Sequence, residues 1–207
     1  MKKFICISNF QLPEKFQAGI YYPVDNEKLR YDKETHYPII NVINAFAESD
    51  EEVELITVIA DYKNAKINYD TLIAEVEELE KAKNIKVKRT ECIIPYGSSL
   101  DTQLKMFEKL ITHMEDNDRL YCDISYGTKV MSQILTMTVN YGYRVNNDVT
   151  LGCIVYGEKD HNTEKLKIYD ITSLNYLDEI VRIMAENKVK EPLERIRALL
   201  NWGDSDE

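Results

Sequence analysis

The sequence predicts an α/β fold: a Rossmann-like open, mainly parallel sheet flanked by helices, with a short C-terminal helical extension. Three observations lead there. Apolar runs of strand length alternate with amphipathic runs of helical period along most of the 207 residues. Several strand-like runs are apolar on both faces, as strands covered by helices on both sides are. Small, hydroxyl- and glycine-containing turns follow three of those runs, where open parallel sheets place their ligands.

Lys2–Ser8 reads as a first, central strand. Asn9–Thr35 is a long mixed loop containing Pro13, Gly19 and Pro23, in which Ile20–Tyr22 and Leu29–Tyr31 pair as a small hairpin. Thr35 caps a helix over Tyr37–Glu48, with Ile39, Ile40, Ile43 and Phe46 on one side. Val53–Ala60 is the next strand. A helix follows over Tyr69–Lys83, turning Leu72, Val76 and Leu79 inward. Asn84–Ile94 alternates, as a strand near a sheet edge does. Pro95–Ser99 then turns into a helix over Leu100–His113. Leu120–Ile124 is a strand, Lys129–Tyr143 a helix, Thr150–Tyr156 a strand and Leu166–Asp170 a last strand. Leu174–Asn187 is an amphipathic helix, Leu193–Leu200 a short one, and an acidic tail ends the chain. The expected division is a Rossmann-like domain over 1–187 and an extension over 188–207.

Bulk properties narrow the function. The net charge of −10 argues against a protein that coats long nucleic acid, which needs a broad basic face. A nucleotide-sized anion stays compatible, because local N–H groups and one or two cations hold it and a Debye length of about 8 Å screens the rest. Cys6, Cys92, Cys122 and Cys153 each lie in strand-like runs without CxxC or zinc spacing, so reduced thiols and a cytoplasmic location are expected. No metal ligand set, cofactor motif, signal peptide or membrane span is expected. His36, His113 and His161 read as surface residues. GxGxxG, the P-loop and the GxSxG elbow are absent.

The chemistry concentrates in Asp123-Ile-Ser-Tyr-Gly-Thr-Lys129. A buried strand running through such a turn into a helix presents free N–H groups at the positive helix end, a ready anion site. Ser125, Thr128 and Lys129 add two hydroxyls and a cation; the alternative is that Ser125 or Thr128 simply caps. Asp123 either caps loop N–H groups or touches a ligand hydroxyl. Two further strand exits share this composition: Ser8-Asn9-Phe10-Gln11, and Gly97-Ser98-Ser99. Tyr126 and Phe10 are suited to stacking on a base, with core packing as the other reading. Tyr156 ends a strand and rims the same cleft.

The turn 123–129 resembles the signature of CRISPR-associated Rossmann-fold (CARF) sensor domains, roughly D-[IV]-[ST]-x-G-x-[RK]. Ile154–Glu158 and Ile168–Thr172 are similar to the second half of that family. The resemblance implies a homodimer in antiviral defence by type III CRISPR systems, with a shared cleft binding a cyclic oligoadenylate second messenger. It places Ser125–Lys129 at the ligand ring, Ser8, Asn9 and Phe10 against it from the first strand, and Gly97, Ser98 and Ser99 as a weaker match. Tyr126 departs from the family's usual His or Asn. Family members often carry an effector after this domain; here a short helix and acidic tail follow. A ring nuclease would cut the ligand without metal by in-line 2′-OH attack. Lys129 would then stabilise phosphate charge, with Ser125 and Thr128 orienting the ribose and oxygens. The alternatives are the sensor half of a larger effector, or a nucleotide- or sugar-phosphate-binding α/β protein outside CRISPR.

Overall fold

A computed structural model describes residues 1–97, 99–160 and 162–200. The elements are β1 (Lys2–Ile7), β2 (Tyr21–Pro23), α1 (Pro38–Phe46), β3 (Glu52–Ala60), α2 (Lys63–Lys83), β4 (Lys86–Ile94) and α3 (Leu100–Ile111). They continue with β5 (Arg119–Asp123), α4 (Lys129–Val145), β6 (Thr150–Lys159), β7 (Leu166–Asp170), α5 (Thr172–Glu186) and α6 (Pro192–Leu200). The strands form one sheet in the order β2-β7-β6-β5-β1-β3-β4. Every neighbouring pair is parallel except β6–β7, which is antiparallel. This is a Rossmann-like α/β fold.

Two apolar layers sandwich the sheet. On one face Ile39, Ile40 and Ile43 of α1 and Leu72, Val76 and Leu79 of α2 bury Phe4, Cys6, Leu55, Tyr121 and Val155. On the other, Met106 and Leu110 of α3 and Ile134, Leu135 and Val139 of α4 bury Ile5, Ile7, Val58, Leu120 and Cys122. Burial contributes roughly 1.5–3 kcal/mol per large aliphatic side chain, which fixes which strand face meets which helix pair. From β1 the chain winds outward to β3 and β4, then returns to the other side of β1 for β5 and β6. The reversal falls between β1 and β5. Ligands of such sheets bind beyond the carboxyl ends of the strands at this point.

By contacts the chain divides into compact units at 1–171 and 172–207. Within the second, Val181 and Met184 of α5 and Pro192 and Ile196 line a common apolar groove.

Three expectations need correction. No hairpin joins Ile20–Tyr22 to Leu29–Tyr31: Tyr21–Pro23 pairs in parallel with β7, and Glu27–Leu29 is a 3-10 turn capped by Asn26. The loop after β1 thus crosses from the centre of the sheet to its far edge. Thr35 does not cap α1. Its hydroxyl accepts from Tyr37 N–H (3.2 Å) and bonds Glu75 (2.5 Å), while the Asp123 carboxylate from β5 accepts from Ile39 N–H (3.0 Å). His36 is not a free surface residue, because its Nδ1 lies 2.7 Å from Glu75.

α2 begins at Lys63, six residues before the expected start at Tyr69. Asn64 and Asn68 are buried and continue the inward row of Leu72 and Val76 toward the helix start. They are polar because they serve the loop after β1: Asn68 Nδ2 donates to the carbonyls of Asn9 (2.9 Å) and Gln11 (3.0 Å), and Asn64 Nδ2 to that of Phe10 (3.4 Å).

Candidate functional site

The turn after β5 is built around Asp123. Its side chain is fully buried and, among the described residues, has no cationic partner. Oδ1 accepts from Ser125 N–H (2.9 Å) and from the Ser125 hydroxyl, and Oδ2 caps α1. Burial pushes the carboxyl up to about 6, partly offset by these donors. Ser125 Oγ in turn accepts from Gly157 N–H in β6 (2.7 Å). One carboxylate therefore ties together α1, the turn and β6. Gly157 admits no side chain, since a Cβ would lie 2.5 Å from Pro38 Cγ. Gly127 is held at φ +91°, where a Cβ would meet Ile7 Cδ1 at 2.8 Å. A larger residue there needs both a strained backbone and a shifted Ile7.

Tyr126 is set by its neighbours. Its ring meets Phe16 and Tyr37 edge to face, at 5.4 and 5.3 Å between centroids. Its hydroxyl donates to His36 O (2.8 Å) and lies 2.9 Å from Tyr21 Oη. Burial pushes that phenol well above its ordinary range. The residue is a fixed wall, anchored through its hydroxyl.

At the end of β1, Ser8 lies beneath the surface with its hydroxyl donating to Ala65 O (2.6 Å). Asn9 is 3% exposed, and its Oδ1 accepts from Gln11 N–H (2.9 Å). Its Nδ2 is buried and has no hydrogen-bond partner among the described residues. An orphan amide donor costs roughly 1–3 kcal/mol and needs a reason.

Asn9, Phe10, Ser125, Tyr126, Gly127 and Tyr156 share the wall of one cleft of about 1210 Å³, at the reversal point of the sheet. The loop 15–22 and the β6–β7 turn complete it. That exceeds the ~300–1,000 Å³ usual for a single small-molecule pocket. Its wall carries Lys15, Lys159 and Lys165 against Glu34, Glu158, Asp160 and Glu164. Three of those acids are engaged internally: Glu158 by the Tyr169 hydroxyl (2.9 Å), Asp160 by Lys167 (2.5 Å) and Glu164 by Lys159. Lys167 and the N–H groups of Asn162 and Thr163 hold Asp160 well below the usual carboxylate range.

The remaining predicted residues lie elsewhere. Thr128 caps α4, its Oγ1 accepting from Met131 N–H (3.3 Å), and Lys129 is exposed at the first turn of that helix. Neither lines the cleft. Ser99 caps α3, accepting from Thr102 N–H (3.2 Å), and Gly97 is exposed beside it. Ser98 and His161 lie outside the described residues. Sequence reasoning missed Tyr22 and Lys15, because the segment after β1 reads as irregular, and Lys165, because it lies in the turn between β6 and β7. It also missed Tyr62 and Tyr96, which stack at 4.7 Å at the ends of β3 and β4. No group of three or more metal-ligating side chains is found among the described residues. None of their helices is long and apolar enough to cross a membrane. No protein-family model and no curated protein sequence matches the chain.

Proposed function

We propose that the chain binds a cyclic oligoadenylate second messenger at the carboxyl-end cleft, as a CARF-like sensor in type III CRISPR signalling. The observation that carries this reading is the Asn9 amide in the wall of that cleft. Its oxygen is committed to Gln11 N–H and its NH₂ has no partner among the described residues, so it offers only a donor. That nitrogen is itself buried behind the wall, so a ligand answering it has to reach in at Asn9 and supply an acceptor, such as a phosphate oxygen or a purine ring nitrogen. Position, volume and the aromatic walls of Phe16, Tyr22 and Tyr156 support the same ligand class.

A second copy of the chain belongs to this reading. Thr128 and Lys129 lie outside the single-chain cleft, at the start of α4. Beside them Leu100 and Leu104 of α3 and Val130 and Met137 of α4 are exposed, and Phe107 meets Tyr141 across the α3/α4 seam (6.1 Å). An apolar patch next to two helix N-termini suits a symmetric contact that turns both α4 starts toward one shared anion. Sensing is favoured over cleavage because the Ser125 hydroxyl is already engaged on both sides, by Asp123 and Gly157.

Calorimetric titration with cyclic tri-, tetra- and hexa-adenylate in EDTA tests this. One ring size binds and is recovered intact, and Asn9→Asp, compared on the folded fraction, weakens it by about tenfold or more. Linear products would make the chain a ring nuclease. Absence of binding for all three rings would leave a nucleotide- or sugar-phosphate-binding protein of another kind.

A further inference from the structure

The parallel register of β3 and β4 runs to the pair Ala60↔Ile94, and Asp61 N–H bonds Ile94 O (2.7 Å) just beyond it. Two residues past that last pair, on equivalent positions, come Tyr62 and Tyr96. Their rings stack at 4.7 Å with planes 21° apart. Tyr62 is anchored as the residue preceding α2, its N–H bonding Ala60 O (2.6 Å). Tyr96 is 60% exposed although one side of its ring is covered by Tyr62. Phe10 meets Tyr96 edge-on at 6.1 Å and itself lines the cleft. Three adjacent strand exits thus carry one aromatic each, and the row runs from the cleft wall outward.

We infer that Tyr96, backed by Tyr62, is a stacking platform for a nucleobase reaching out of the cleft past Phe10. A ring held parallel by its neighbour and still 60% exposed offers π-surface at little further ordering cost. Stacking there accepts any base, so the platform adds affinity and reach while selectivity stays with hydrogen-bonding groups such as Asn9. It rests on the nucleotide-binding reading above and assigns a contact for which that reading has no residue.

The test compares wild type, Tyr96→Ala, Tyr96→Phe and Asn9→Asp in titrations with the cyclic adenylate that binds wild type most tightly. Tyr96→Ala weakens binding by about 5- to 140-fold, the range set by about 1–3 kcal/mol per stacked base. Tyr96→Phe, which keeps the ring, stays within about threefold of wild type, and melting temperatures of both match it. Equal affinity of wild type and Tyr96→Ala, with Asn9→Asp impaired, overturns the platform and leaves the cleft reading standing. A wild type that binds no cyclic adenylate overturns both.

Discussion

The two ends of the sheet are finished differently. At the amino end, Lys3 is 1% exposed and its ammonium meets Asp118 (2.8 Å), Glu115 (2.9 Å), Glu54 (3.8 Å) and the His113 carbonyl (2.5 Å). The N-terminal ammonium adds a second contact to Asp118 (3.2 Å), and Lys2 bonds Glu51 (2.8 Å). Burial lowers the Lys3 pKa, but Asp118 and Glu115 more than offset it, so the net shift is upward. At the carboxyl end, Asp123 is buried among N–H and O–H donors with no cation among the described residues, and Asn9 keeps an orphan NH₂. The buried ammonium at one end is paired with carboxylates; at the other a buried carboxylate meets only neutral donors and a buried amide nitrogen meets none among the described residues. Structures tolerate such costs where a ligand is to be met. The difference teaches where to look: the amino end is cement, the carboxyl end the candidate site.

The largest expected effect tests the cement. Lys3→Met removes the cation Asp118 and Glu54 share, leaving Asp118 to the N-terminal ammonium and Glu54 to Lys88, and lowers stability by about 3–4 kcal/mol in urea unfolding. Ligand affinity of the folded fraction stays at wild-type level. Lost affinity at unchanged stability would erase the contrast between the ends.

A somewhat smaller effect reads the carboxyl end through pH. The Asp123 carboxyl is raised from 3.8 to about 6 in the folded chain, so the folded state holds its proton more tightly than the unfolded one. The stability this contributes is complete below about pH 4 and is lost as pH rises through 6, a fall of about 3 kcal/mol. Urea midpoints across that range show the slope in wild type, and Asp123→Asn flattens it. An unchanged slope in the variant would place the titrating group elsewhere.

How far this contrast was legible in the sequence depends on the residue. Apolar runs of strand length located β1, β3 and β5, and alternation placed β4 near an edge; it lies at one. The first turns of α2 were hidden because Asn64 and Asn68 occupy inward positions where apolar residues carry the periodic signal. β2 was misread because a three-residue strand has too few positions to show a period, and its partner β7 lies 145 residues away in register (Tyr21↔Leu166). In the site, the glycine and hydroxyl pattern located the turn, but pattern does not say whether a hydroxyl is engaged. Ser125 and Tyr126 are held by Asp123, Gly157, Tyr21 and His36, contacts made only by the folded sheet. The Tyr62–Tyr96 pair follows from the β3–β4 register, which no local window contains.

Amide chemical-shift mapping with the tightest-binding cyclic adenylate tests the central claim most directly. The account predicts perturbations concentrated at residues 9–11, 125–127 and 156–158, with residues 2–3 and 115–118 silent. Shifts centred on the Lys3 cluster, or a silent turn after β5 at saturating ligand, would contradict it.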